Sequence, residues 1–166
     1  MNTKIKTTII ISLLVVASIG LILVTKPAPA GSDNFQASLN SALQTDEPSF
    51  DFGTISMAGG NVSREFSFVN SGGETLTINQ IYTSCMCTTA VLDLAGRKFG
   101  PFGMPGHGFS TPIKAEVAPS GAGKINVVFD PAAHGPAGVG LIERFVYVQT
   151  GDGAVLRFRI TALVTP

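Results

Sequence analysis

Near its end the chain reads VLRFRITALV, Val155 to Val164, with Leu156, Phe158 and Ile160 alternating against Arg157, Arg159 and Thr161. Successive side chains of an extended backbone point to opposite faces, so a period of two makes a ribbon that is dry on one side and wet on the other. Such a ribbon must bury its dry side against a second layer. The same period recurs at Val62 to Val69, where Phe66 and Phe68 oppose Glu65 and Ser67. Similar runs occupy Leu76 to Ile81, Met86 to Leu92, Ile125 to Phe129 and Ile142 to Val148. Between them lie Asn70-Ser71-Gly72-Gly73, Pro119-Ser120-Gly121 and Thr150-Gly151-Asp152-Gly153, which supply the positive φ angles and local side-chain hydrogen bonds of turns. No segment after the N-terminal region sustains a 3.6-residue apolar period, so the second layer must also be a sheet. The pattern predicts an all-β, antiparallel β-sandwich.

The N-terminal region is different in kind. Thr7 to Val24 (TTIIISLLVVASIGLILV) is uncharged and long enough to cross a bilayer as a helix. Lys4 and Lys6 precede it and Lys26 alone follows closely, which favours a cytoplasmic N-terminus and export of the remainder. Residues 1–25 are therefore expected to be a signal anchor, with a single-pass membrane tether preferred over cleavage. The alternative is an A-x-A-like cleavage site at Ala28-Pro29-Ala30, which would release a secreted domain. Residues 26–48, rich in Ala, Ser, Pro and Asn, are expected to form a flexible tether with a short helical turn around Gln36 to Leu43. Residues 49–166, about 118 in number, then make one domain of ordinary size. The expected location is the cell membrane, with that domain facing the periplasm or the cell exterior.

Of the 11 basic residues, Lys4, Lys6 and Lys26 precede Gly31, leaving 8 basic against all 11 acidic residues beyond it. A mildly acidic domain without a basic stripe has no electrostatic footprint for nucleic acid.

Several short motifs together carry a resemblance. They are Phe52-Gly53; Asn70-Ser71-Gly72 followed by Leu76-Thr77-Ile78; Ser84-Cys85-Met86-Cys87-Thr88; Val117-Ala118-Pro119; and Ile125 to Asp130. In this combination the chain resembles a bacterial exported domain-of-unknown-function family with the signature FG, N-x-G, S-C-G-C-T and PG. That family is similar to immunoglobulin-like domains of the ASPM, SPD-2 and Hydin type. The resemblance covers roughly residues 49 to 165 and implies an exported immunoglobulin-like sandwich of seven or eight strands with no established activity. Three departures stand out: Met86 in place of the usual glycine, Ser120 where a glycine normally follows the proline, and a glycine-rich insertion at about residues 96 to 112.

That insertion contains GRKFGPFGMPGHGFSTP, whose Phe99, Phe102 and Phe109 are too apolar for a loop left in water. Its Gly and Pro density argues against regular structure, so the expectation is a folded-back loop capping one end of the sandwich. It carries Met104 and His107. The only other histidine, His134, lies in the Gly/Pro-rich stretch Asp130 to Pro136.

Cys85 and Cys87 are the only cysteines. On a strand they would share a face with Cα atoms about 6.6 Å apart, from a rise of about 3.3 Å per residue. That is near the upper limit for a disulfide, so a Cys85–Cys87 bridge is open to an exported protein but would be strained and comparatively reducible. If a bulge at Met86 turned both sulfurs inward, they could instead bind a metal. Met104 or Met86 and an imidazole would favour copper(I), whereas Cys85, Cys87, His107 and His134 could make a tetrahedral zinc site. A thiol redox pair is the weaker alternative, because no C-x-x-C at a helix N-terminus is present to lower a thiol pKa. Against all three stands the plainer reading of two small buried side chains and two polar loop histidines.

Other chemistries lack support. Neither Gly-x-Ser-x-Gly nor H-E-x-x-H occurs, and the glycine-rich stretch lacks the lysine and following helix of a phosphate cradle. The acids Asp51, Glu65, Glu74, Asp93, Glu116, Asp130, Glu143 and Asp152 are scattered near strand ends and turns, with nothing to select a catalytic pair. No catalytic residue is assigned. The expected function is non-enzymatic binding of a protein partner in the cell envelope, with soft-metal binding through Cys85, Cys87, Met104, His107 and His134 as the alternative.

Overall fold

The computed structural model describes residues 41–107 and 111–166. The apolar segment at 7–24, the Ala28 to Ala30 site, the tether over 26–40 and Phe109 lie outside the described residues. No helix among the described residues is long and apolar enough to cross a membrane.

Among the described residues ten strands, not the expected seven or eight, form two five-stranded sheets. The strands are β1 (Leu43–Gln44), β2 (Ser49–Ser56), β3 (Val62–Asn70), β4 (Leu76–Thr83), β5 (Thr88–Leu94), β6 (Arg97–Phe102), β7 (Ala115–Val117), β8 (Ala122–Phe129), β9 (Gly140–Thr150) and β10 (Val155–Thr165). The first sheet runs β1-β3-β8-β5-β6 and the second β2-β10-β9-β4-β7. All six runs with the two-residue period fall in strands, the Met86 run only from Thr88 onward, and the alternation decides which face is dry. In β10, Leu156, Phe158, Ile160, Ala162 and Val164 are buried, while in β3 and β8 the inward set is Phe66, Phe68, Ile125, Val127 and Phe129. Phe66 of the first sheet stacks on Phe158 of the second, ring centroids 4.9 Å apart, at the centre of the core. Burying an aromatic ring of this size stabilises by roughly 1.5–3 kcal/mol.

Several expectations need correction. The sandwich is not purely antiparallel, because β2 pairs parallel with β10. Leu43, expected in the tether's helical turn, is in β1 and completely buried. Part of the glycine-rich insertion is regular after all, since β6 pairs antiparallel with β5. An edge strand tolerates glycine and proline because one of its sides needs no ladder partners. Its register shifts between Ala90 and Leu92, and Phe102 enters the core while Phe99 packs against it.

The end of the sandwich formed by the β3–β4 and β7–β8 connections is held by one side chain. Asn70 is completely buried. Its amide nitrogen donates to the carbonyls of Glu74 (2.8 Å) and Val117 (2.9 Å), and its oxygen accepts from the Gly72 N–H (2.9 Å). The Val117 bond ties the first sheet to the second. Nearby, Pro119 and Ser120 are the central residues of a turn closed by Gly121 N–H donating to the Ala118 carbonyl, and Ser120 takes φ +60°. A left-handed non-glycine residue costs roughly 1–2 kcal/mol.

We expect Asn70→Ala to lower the unfolding free energy by roughly 2–4 kcal/mol, because three backbone groups lose their partner. Ser120→Gly should raise it by roughly 0.5–1 kcal/mol, the left-handed cost less the extra chain entropy of glycine. Urea denaturation of the variants checks both, and an unchanged midpoint for Asn70→Ala would contradict the inter-sheet role.

Candidate functional site

Two connections that pass from one sheet to the other meet at the opposite end. The β4–β5 connection, Ser84 to Cys87, crosses from the second sheet to the first, and the β8–β9 connection, Asp130 to Val139, crosses back. Backbone polar groups in such crossings need partners other than a ladder. Thr83, buried, directs its hydroxyl at the carbonyls of Cys85 (2.9 Å) and Thr88 (3.0 Å). The Thr88 N–H closes a turn onto the Cys85 carbonyl (3.1 Å), and the Asp130 N–H donates to the Cys87 carbonyl (2.9 Å), joining the two crossings. Ser84 exchanges bonds with Phe145 of β9: its N–H donates to the Phe145 carbonyl and its hydroxyl accepts from the Phe145 N–H.

This turn changes the cysteine geometry. β5 begins at Thr88, not Met86, so Cys85 and Cys87 do not lie on a strand. Their Cα atoms are 5.3 Å apart instead of about 6.6 Å, and the two are joined as a disulfide. The extended spacing on which the expectation of strain rested is therefore not reached. Both cysteines are nearly buried, while Met86 between them is 53% exposed.

Each sulfur has polar neighbours. His134 Nε2 is 3.1 Å from Cys85 Sγ, which also accepts from the Cys87 N–H at 3.3 Å. A disulfide sulfur has no proton to give, so the imidazole contact is a hydrogen bond only when Nε2 carries the proton. Arg144 Nε donates to Cys87 Sγ at 3.3 Å, and Thr88 Oγ1 lies 3.7 Å from the same sulfur. His134 is held within a connection started by Asp130, whose carboxylate accepts from the Ala132 N–H (2.9 Å).

Of the five expected donors, Cys85, Cys87 and His134 come together, their ligand atoms within 4.8 Å of one another. His107 stands outside that group, exposed on a turn in which its N–H donates to the Met104 carbonyl. Met104 is half-buried and follows Gly103, whose carbonyl accepts from the Thr83 N–H. With the sulfurs bonded to each other, two thiolates for a metal exist only after reduction.

Arg144 and Thr83 were missed from sequence. For Arg144 a signal existed: in β9 it shares inward parity with Ile142 and Val146, a charge where the alternation calls for an apolar residue. The scattered acids have structural tasks. Glu65 pairs with Lys124 and Glu143 with Arg159, while Asp51, Asp93 and Asp130 accept from the backbone N–H groups of Gly53, Gly96 and Ala132. Asp152 accepts from the Thr150 hydroxyl and the Ala154 N–H, bonds that hold its carboxyl below the ordinary carboxylate range.

A bridge closing so short a loop constrains the unfolded chain little, contributing roughly 1.6 kcal/mol in the chain-entropy model against about 3 for a 15-residue loop. We therefore expect the double substitution Cys85→Ala and Cys87→Ala to lower the unfolding free energy by no more than about 2 kcal/mol. Equilibrium urea unfolding measures this, and a loss well beyond that value would make the bridge a structural staple.

No curated protein sequence matches the chain. Among solved structures, a protein of unknown function from Porphyromonas gingivalis W83 is similar at TM-score 0.53 and 19% identity, over 78% of this chain and 51% of that one. The secreted serine protease VesC from Vibrio cholerae is similar at TM-score 0.50 and 8% identity, over 81% of this chain and 26% of that one. The ASH/PapD-like domain of human CEP192 gives TM-score 0.46 at 14% identity, over 85% and 96%. The chain thus spans about half the length of the first and about a quarter of the second, and the likeness is one of fold. Residues 43–96 match the family described as "Protein of unknown function (DUF1573)", a stretch that contains both cysteines and Thr83 but neither His134 nor Arg144.

Proposed function

We propose that the chain is a membrane-tethered, extracytoplasmic, immunoglobulin-like module that binds a protein partner without catalysis, through the end of the sandwich that bears the Cys85–Cys87 turn. The observation that carries this reading is the placement of exposed apolar side chains. Among the described residues, five large hydrophobics are exposed: Val69, Met86, Val139, Leu141 and Leu163. All but Val69 are at this end. Leu141, 88% exposed, opens β9 directly across from Leu163 of β10; Val139 precedes it, and Arg144 on the same strand touches the Met86 turn at Cys87. Leu141 and Leu163 adjoin on the outer face of the second sheet, opposite to the face that carries Arg144, and exposed apolar side chains at one end of a domain mark a contact surface. The resident disulfide supports an oxidising compartment, in keeping with the charge pattern around residues 7–24.

The test is a photo-crosslinking side chain placed at Leu141, and at Val69 as control, in cells producing the full chain. The expected result is a discrete adduct with a different protein from position 141 only, formed outside the cytoplasmic membrane and lost on Leu163→Asp while the fold is retained. Adducts of two copies of this chain, or equal adducts from both positions, would sink the reading.

A second reading rests on the convergence of Cys85, Cys87 and His134. Reduced, they would offer two thiolates and an imidazole to copper(I) or zinc, with Met104 and His107 as further donors only if their loop closes over the turn. Native mass spectrometry of the reduced full chain with each ion decides this. One ion retained against a chelator and lost in the Cys85→Ser, Cys87→Ser variant supports metal binding; apo protein alone excludes it.

A further inference from the structure

The polar neighbours of the bridge suit the opened bond better than the closed one. A disulfide sulfur is a weak acceptor, so a half-buried guanidinium placed on Cys87 Sγ contributes little while the bond is intact. A thiolate at the same place would take a charge-assisted hydrogen bond, roughly twice as strong as a neutral one. The two cysteines also differ in exposure and neighbours. Cys85 is 9% exposed beside the exposed His134, whereas Cys87 is 3% exposed, between Arg144 and Thr88. The bridge closes too few residues to be worth much as a staple, and the residue between its cysteines, Met86, is exposed.

The geometry points to a thiol–disulfide exchange site at which a protein dithiol attacks Cys85 and Cys87 departs as a thiolate held by Arg144. This deepens the partner-binding reading and rests on it, since the dithiol would be carried to the Met86 turn by a protein docked at this end of the sandwich, where Met86, Val139, Leu141 and Leu163 are exposed. In the first step a partner thiolate forms a bond to Cys85 Sγ, the Cys85–Cys87 bond breaks, and its electron pair goes to Cys87 Sγ beside the guanidinium. In the second step the partner's other thiolate attacks the partner sulfur of the mixed disulfide, and the electron pair of that bond goes to Cys85 Sγ. His134 Nε2, 3.1 Å from Cys85 Sγ, donates to the departing sulfur when that nitrogen carries the proton. The partner loses two electrons and ends as a disulfide; this chain gains them and ends with two reduced cysteines.

The test uses the full chain purified in detergent, with dithiothreitol as the dithiol probe and a glutathione buffer to set the equilibrium. Wild type should be reduced while folded. Arg144→Gln should be reduced about tenfold more slowly and with an equilibrium about tenfold less favourable, about 30 mV for a two-electron couple, and Arg144→Lys should recover much of the difference. With glutathione disulfide, the Cys87→Ser protein should form its adduct at Cys85 at least about tenfold faster than Cys85→Ser forms one at Cys87, following exposure. A bridge that resists dithiothreitol until the protein is unfolded, Arg144 variants that match wild type, or the reverse order of adduct formation would each overturn the proposal. Crosslinking at Leu141 does not depend on the cysteines, so a discrete adduct without exchange removes this inference alone, and its absence removes the partner reading.

Discussion

Two sheets that each have one dry face must be joined by connections crossing the gap between them, about 10 Å in a packed sandwich. Everything distinctive about this chain follows from how those crossings are satisfied. A crossing segment leaves both ladders, and its carbonyl and N–H groups must find other partners or remain buried at a cost of roughly 1–3 kcal/mol each. At one end Asn70 provides them, binding the backbones of Glu74, Gly72 and Val117. At the other end Thr83 holds the β4–β5 crossing from within, and the Asp130 N–H ties it to the β8–β9 crossing. One end is closed by an amide buried among glycines and small turns. The other presents a disulfide, a histidine and an arginine, and it is the one with chemistry to offer.

The position of the cysteines within that crossing matters more than their spacing in sequence. Had they continued the strand, their side chains would have faced the core or solvent as a pair, with no cation within reach. In the turn they project sideways between β9, which supplies Arg144, and the β8–β9 connection, which supplies His134. A thiol redox pair on a β scaffold lacks the helix N-terminus that usually favours a thiolate. Here a guanidinium and a backbone N–H occupy the corresponding places, one on each sulfur.

The sheets were legible from sequence because a period of two is a direct readout of which side of an extended chain is dry, and every run with that period falls in a strand, the Met86 run only from Thr88 onward. What escaped has identifiable causes. β1 and β7, with two and three residues, are too short to show any period. β6 was hidden by Gly100 and Pro101, residues disfavoured in strands generally but tolerated at an edge. The parallel pairing of β2 with β10 depends on where the chain goes next, which no local pattern records. At the site, Cys85, Cys87 and His134 were visible as residue types with chemistry, whereas Arg144 was concealed inside a strand otherwise read for its apolar residues. His107 was equally visible and is not part of the group, since residue type alone carries no distance.

Met86 and Ser120, the two residues where the sequence reading expected glycine, have opposite physical consequences. Ser120 adopts φ +60°, the conformation that a glycine takes without steric cost, so there the backbone bears the strain of a side chain. Met86 is not among the residues with positive φ, so the Cys85–Cys87 turn does not require glycine at its centre and its backbone accepts a side chain freely. That side chain is long, flexible and polarisable, of the kind that adapts to irregular apolar surfaces, and it is 53% exposed. Methionine places an exposed apolar side chain at the tip of the turn, between the two cysteines, where the proposed partner would bury it.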